Sequence, residues 1–264
     1  MHILATADIH SPKFLSTFRE TILKHVDKLQ NVDLVLIAGD LMHKGDISGL
    51  RKLEETLQEF FANKIVIACP GNEDFEEVLS RVKCLKVKIL EDSIETLKID
   101  NKLIKVYCTR GVLDRPTIWQ RRHIKNIDEI YMKRLEKIKA ALEEICNSDV
   151  PILLSHYAIT YSLLEGEDRT IWPYLGTCKL DNIIQKYRII VIHGHAHNSI
   201  KRYTVFGKAH ILNVSFPRFS AVYLINIPDT DIDGMEVLEL RRDGSIVRLN
   251  VEKRPSGRSI LDFV

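Results

Sequence analysis

Five short apolar runs constrain this fold more than any other feature: Ile3–Ala7, Val35–Ala38, Ile65–Ala68, Pro151–Leu154 and Ile189–Ile192. Each has the length of a strand. A run that stays apolar instead of alternating is a strand covered on both faces, the environment of a parallel sheet. Amphipathic stretches separate the first three. Leu15, Phe18, Ile22, Val26 and Leu29 recur at three- and four-residue spacing, and Leu50, Leu53, Leu57 and Phe61 do the same. Strand and helix therefore alternate as βαβ units with right-handed crossovers. A third helix is predicted from Asp74, with Glu77 completing a capping box.

After residue 87 the pattern changes. Val87–Leu90, Thr96–Ile99 and Leu103–Cys108 read as strands without helices between them. A long helix follows over Ile127–Cys146, its apolar face carrying Ile130, Leu135, Ile138, Leu142 and Ile145, and another lies near Leu180–Tyr187. The last seventy residues read as strands, with hairpin turns at Phe206-Gly207-Lys208 and Asp243-Gly244. With no internal repeat, low-complexity tract or long linker, residues 1–264 read as one domain, with 253–264 a loosely held tail. The expected class is α/β: a parallel-rich sheet from the first half facing a second sheet from the later hairpins, helices outside.

Charge and cysteine narrow the partners. Lys and Arg number 38 against 36 Asp and Glu, a net +2, so bulk charge does not point to nucleic acid, although it does not exclude it. No apolar run approaches the roughly 20 residues of a membrane span, and the first ten residues lack the basic-then-apolar pattern of a signal peptide. The five cysteines (Cys69, Cys84, Cys108, Cys146, Cys178) are odd in number and form no CxxC pair, which fits reduced thiols in a cytoplasmic protein.

The chemistry is written at the strand ends. Asp8 and His10 follow the first strand, Asp40 the second and Asn72 the third. His156 follows the fourth run, and His193, His195 and His197 end or follow the fifth. Open α/β sheets bind ligands outside the carboxyl ends of their strands, so five strands deliver imidazoles, carboxylates and an amide to one edge. Imidazole and carboxylate without thiolate suit Mn, Fe, Co, Ni or Zn. Seven ligands exceed what one tetrahedral ion takes and suit two. Asp40, leaving a central strand after Gly39, is the natural bridge.

The segments Asp8-Ile9-His10, Gly39-Asp40, Gly71-Asn72-Glu73-Asp74, Ser155-His156 and Gly194-His195-Ala196-His197 resemble, in order, the five motifs of the calcineurin-like metallophosphoesterases. The resemblance implies a four-layer α/β/β/α sandwich of mixed sheets. It further implies one ion on Asp8, His10 and His197, a second on Asn72, His156 and His195, and Asp40 between them. The implied activity is hydrolysis of a phosphodiester or phosphomonoester by metal-hydroxide attack with two divalent ions, manganese foremost. Asp40, Asn72, Glu73 and His156 are the expected catalytic group.

At position 73 the family often has a histidine that serves the leaving group; the Glu73 found here favours a diester. Glu73 also reads as a carboxylate placed at a helix N-terminus. Asp74 reads as a helix cap or an orienter of ligands, and His193 as structural; His43 is open between cleft and solvent. Arg110, Arg115, Tyr157 and Arg218 are candidate substrate contacts because their segments adjoin strand ends. Residues 110–139 hold nine Lys or Arg against four Asp or Glu, read as a solvated face ahead of an anion-attracting rim. Trp119 and Trp172 are read as core residues ahead of base-stacking ones. Two alternatives remain: a DNA-repair-type nuclease, and a metal-binding scaffold that keeps the fold without turnover.

Overall fold

A computed structural model describes residues 1–82 and 85–250. The expectations for Cys84 and the 253–264 tail lie outside the described residues. The thirteen strands among the described residues are β1 (His2–Thr6), β2 (Leu34–Ala38), β3 (Ile65–Cys69), β4 (Lys88–Ile89), β5 (Ser93–Ile99), β6 (Lys102–Thr109), β7 (Val150–Ser155), β8 (Ile189–His193), β9 (Tyr203–Phe206), β10 (Ala209–Asn213), β11 (Ala221–Asn226), β12 (Glu236–Arg241) and β13 (Ile246–Leu249). The α-helices are α1 (Leu15–Lys24), α2 (Val26–Leu29), α3 (Ile47–Phe61), α4 (Glu76–Leu79), α5 (Ile118–His123), α6 (Ile127–Ile145) and α7 (Asp181–Ile184).

Two sheets face each other. One runs β13-β12-β11-β1-β2-β3-β4, the other β5-β6-β7-β8-β10-β9. The apolar runs are parallel neighbours, β1 with β2 and β2 with β3 in one sheet, β7 with β8 in the other. Ile3, Leu34, Leu36 and Ile67 meet Val106, Ile152, Leu154, Ile190 and Ile192 between the sheets. On the outer faces, Phe18, Leu50, Leu53 and Leu57 of α1 and α3 pack against Leu4, Val35 and Ile37, while Ile138, Leu142 and Ile145 of α6 cover Leu153 and Val191. This is the α/β/β/α sandwich. Truncating one of these buried leucines to alanine costs about 2–5 kcal/mol, lost transfer energy plus the cavity left behind.

The partition of strands differs from the sequence reading. Of the late hairpins, β9–β10 joins the second sheet, but β11 returns to lie antiparallel beside β1, and β12 and β13 extend the first sheet from there. The rest of the second sheet, β5 to β8, comes from the middle of the chain. Pattern reading ranks strands by burial, not by neighbour, and β11 is as buried on both faces as β1. The helix expected from Asp74 is also shorter and later. α4 begins at Glu76 with Phe75 as N-cap and no side-chain cap. Among the described residues no helix is long and apolar enough to cross a membrane.

Candidate metal centre

The carboxyl ends of β1, β2 and β3 in one sheet and of β7 and β8 in the other meet at one edge. Their loops are stitched side by side. Asp8 N–H donates to the Gly39 carbonyl at 3.0 Å and His10 N–H to that of Asp40 at 2.9 Å. The buried Asp74 carboxylate accepts from the N–H groups of Leu41, Met42 and Gly71 at 2.8–3.1 Å, tying the second loop to the third. Asp74 thus holds loops together and caps no helix.

Asp8, His10, Asp40 and His195 all have positive φ, between 43° and 65°. Non-glycine residues in the left-handed region cost of order 1–3 kcal/mol each and concentrate at functional sites. Close approach is enforced as well. A Cβ on Gly39 would stand 2.5 Å from His156 Nδ1, and one on Gly71 would collide with the Asp40 carboxylate.

Three groups of donor atoms lie within 4.8 Å of one another among the described residues: the triads Asp8–His10–His197 and Asp40–His156–His195, and His10–His43–Glu73 beside the first. Asp40 Oδ2 lies 3.7 Å from His10 Nε2 and 3.6 Å from His156 Nε2, midway between the sets. Hydrogen bonds fix which nitrogen faces inward. His156 Nδ1 donates to the Ala38 carbonyl at 3.0 Å, which leaves Nε2 with its lone pair. His10 Nδ1 donates to Glu73 Oε2 at 3.0 Å and likewise frees its Nε2.

One pair of inward atoms then opposes acceptor to acceptor. His156 Nε2 is 2.9 Å from Asn72 Oδ1. Asp8 Oδ1 and His197 Nε2, 3.3 Å apart, are both buried without a hydrogen bond. Neighbouring ligands on one cation, with bonds near 2.1 Å, sit roughly 3 Å apart. The donor set therefore fits two divalent cations.

The charges agree. Burial works to raise the Asp8 carboxyl, but the imidazoles of His197, His156 and His10 hold it far below the usual carboxylate range. Asp40 is pushed well up by burial and by the carboxylates of Asp74, Asp8 and Glu73. Burial pushes His156 well down and His195 down to about 4, so both imidazoles are neutral at pH 7.

The structure brings all seven predicted ligands together and separates the other candidates. Glu73 stands before α4, not on its N-terminus. Its Oε2 accepts from His10 Nδ1, His43 Nδ1 (2.9 Å) and Lys44 N–H (2.9 Å), and against burial these bonds hold its carboxyl below its ordinary value. His43 is therefore braced beside His10, a role with no sequence signal beyond its place three residues after Asp40. His193 is buried, as expected of a structural residue.

Of the four substrate-contact candidates, Tyr157 is only 1% exposed; its ring packs on His156 and His195 and its hydroxyl accepts from Gln120. It forms the floor beneath the second triad. Arg110 is a strut between Glu91 and the Asp74 carbonyl. Arg115 and Arg218 are exposed, Arg218 bonding the Asn198 carbonyl next to His197. Ion pairs absorb most of the basic run, engaging Arg110, Arg121, Lys133, Arg134, Lys137 and Lys139. Trp119 is not a core residue; it is 53% exposed.

The sequence model of the calcineurin-like phosphoesterases matches residues 1–199. No curated protein matches the chain. Among solved structures, the phosphopantetheinyl hydrolase of Mycobacterium tuberculosis superposes with a TM-score of 0.55 at 15% identity, over 82% of this chain and 90% of that one. GAP50, the anchor in the inner membrane complex of Plasmodium, gives 0.57 at 12%, over 96% and 90%. Purple acid phosphatase PPD1 from yellow lupin seeds gives 0.59 at 12%, over 94% and 52%. These likenesses speak for the fold.

Proposed function

This chain belongs to the calcineurin-like phosphoesterases, and from that premise we propose that it hydrolyses phosphoric esters at a two-metal centre. Asp8, His10 and His197 hold one cation, Asn72, His156 and His195 the other, and Asp40 both. The observation that carries this reading is the opposition of lone pairs between His156 Nε2 and Asn72 Oδ1, with Asp8 Oδ1 and His197 Nε2 buried beside them without a hydrogen bond. Such contacts are unfavourable unless a cation satisfies both partners.

Bound there, two divalent cations supply Lewis acidity to phosphoryl oxygens and acidify a water into a nucleophile near neutral pH. The residues of the chain do the rest. Ala38 and Glu73 fix the tautomers of His156 and His10, and burial keeps His156 and His195 neutral and able to donate lone pairs. Among Mn, Fe, Co, Ni and Zn, manganese is favoured.

Glu73 stands where the family often has a histidine, and its carboxylate is occupied by two imidazoles. It positions His10 and His43 in place of serving the leaving oxygen. A diester is favoured over a monoester on that account. Arg115 and Arg218 are the substrate contacts retained. The chain acts as a single domain, since β11 to β13, beyond the matched residues, complete the sheet that carries Asp8, Asp40 and Asn72.

A screen of the manganese-loaded protein on p-nitrophenyl mono- and diesters, then cyclic nucleotides and single-stranded DNA, tests this reading. Hydrolysis with diester preference is expected. Two bound metal equivalents with no turnover of any ester would overturn the hydrolase and leave a scaffold.

A further inference from the structure

Beside the metal centre three flat rings lie nearly parallel. Trp119 stacks on His123, centroids 4.6 Å apart and planes 20° from parallel, and Phe75 lies 13° from parallel to Trp119 with centroids 6.4 Å apart. Each ring sits on a segment that also builds the centre. Phe75 is three residues beyond Asn72 and is seated on Gly45, where a Cβ would come within 2.6 Å of its ring. Trp119 belongs to α5, which is held by the Thr117–Gln120 capping box. From there Gln120 Nε2 donates to the hydroxyl of Tyr157, whose ring packs on His156 and His195. Three residues of extended chain span at most about 11 Å, so Phe75 lies within a nucleotide's reach of the ligand Asn72.

The rings are open. Trp119 is 53% and its neighbour Ile118 69% exposed. Ion pairing leaves Arg115, Arg122 and Lys125, all exposed around these rings in sequence, without an ion pair among the described residues. Parallel aromatic faces with exposed cations close by in sequence, next to a site that holds a phosphoester, match one ligand chemistry: a planar heterocycle attached to a phosphate. Every base offers a π-face, and stacking on an aromatic side chain needs no particular base identity.

We propose that Phe75 and Trp119 form a stacking site for the nucleobase of a nucleotide ester, so that nucleotides are the substrate class. The proposal rests on the phosphoesterase reading for the ester and on ring geometry for the base. Its test separates the two. In a Trp172→Phe background Trp119 is the only tryptophan. Adenosine 5′-monophosphate added to this protein after chelation quenches tryptophan fluorescence saturably, ribose 5-phosphate does not, and Phe75→Leu weakens the quenching.

In the manganese-loaded protein, the ratio of kcat/KM for nucleotide esters to that for the matching glycerol esters falls about tenfold in Phe75→Leu and in Trp119→Leu, the scale of one base–aromatic stack. Hydrolysis of glycerol esters without saturable quenching, or with a ratio that neither substitution moves, overturns the stacking site alone. Quenching without hydrolysis of any ester overturns the phosphoesterase reading and supports the stacking site.

Discussion

The two triads of the metal centre use the same residue types and are electrically opposite. In the Asp8 triad the carboxylate is surrounded by imidazoles. His197 is correspondingly raised, burial opposing and the Asp8 charge prevailing. That half neutralises itself, and it is the open one, since the His197 side chain is 36% exposed. In the Asp40 triad the carboxylate is raised by burial and by three further carboxylates, while its imidazoles are held neutral. That half is short of positive charge until a cation arrives. Identical chemistry on paper therefore gives one site that a cation must compete for and one that a cation completes.

The largest effect that separates the triads is expected at the shared oxygen. Asp40→Ala should lose both ions, and with them several kcal/mol of Lewis-acid stabilisation, a roughly thousandfold or greater fall in kcat. Asp8→Asn should leave one metal equivalent by elemental analysis. If both variants retain the same metal content, the two halves are not independent and the contrast fails.

A smaller effect is expected from Glu73→Gln, which weakens the brace on His10 without replacing a ligand. Loss of such a partner typically costs 10–100-fold in metal affinity, and here the loss should fall on the Asp8 ion alone, read by titrating metal into the chelated protein. Equal weakening of both ions would place Glu73 in the second half as well.

The smallest effect isolates burial from metal charge. His193, in neither triad, is held down to about 4 from an ordinary 6.5, burial being the main cause. As pH falls from 6.5 to about 4 the unfolded chain takes up a proton that the folded chain refuses, so stability falls with pH. The stability advantage of the wild type over His193→Phe, from denaturant midpoints of chelated protein, should shrink by up to ~3 kcal/mol across that window. A constant difference would show that His193 takes up its proton as readily in the fold as in the unfolded chain.

Much of the site was legible because ligands are tied to strand ends, and strand ends are tied to apolar runs. Asp8, Asp40 and His156 each stand within two residues of a run that burial alone makes recognisable. What Glu73 and Tyr157 touch was not legible for one reason: it depends on where a side chain turns after the strand has ended. Glu73 turns back to His10 instead of toward α4, and Tyr157 turns under His195. Trp119 was misjudged because composition ranks tryptophan as a core residue, whereas α5 offers the core Gln120 and leaves Trp119 outside.

By itself, then, the sequence determined the strands, the alternation that makes them parallel, and the seven donor residues, since these follow from local periodicity and residue chemistry. Tertiary structure alone decided that β11 to β13 return to the first sheet, that Asp40 lies equally near His10 and His156, and that three rings align beside the centre. Those outcomes depend on pairings between residues far apart in the chain, whose energies arise only when the two sheets close on a common core.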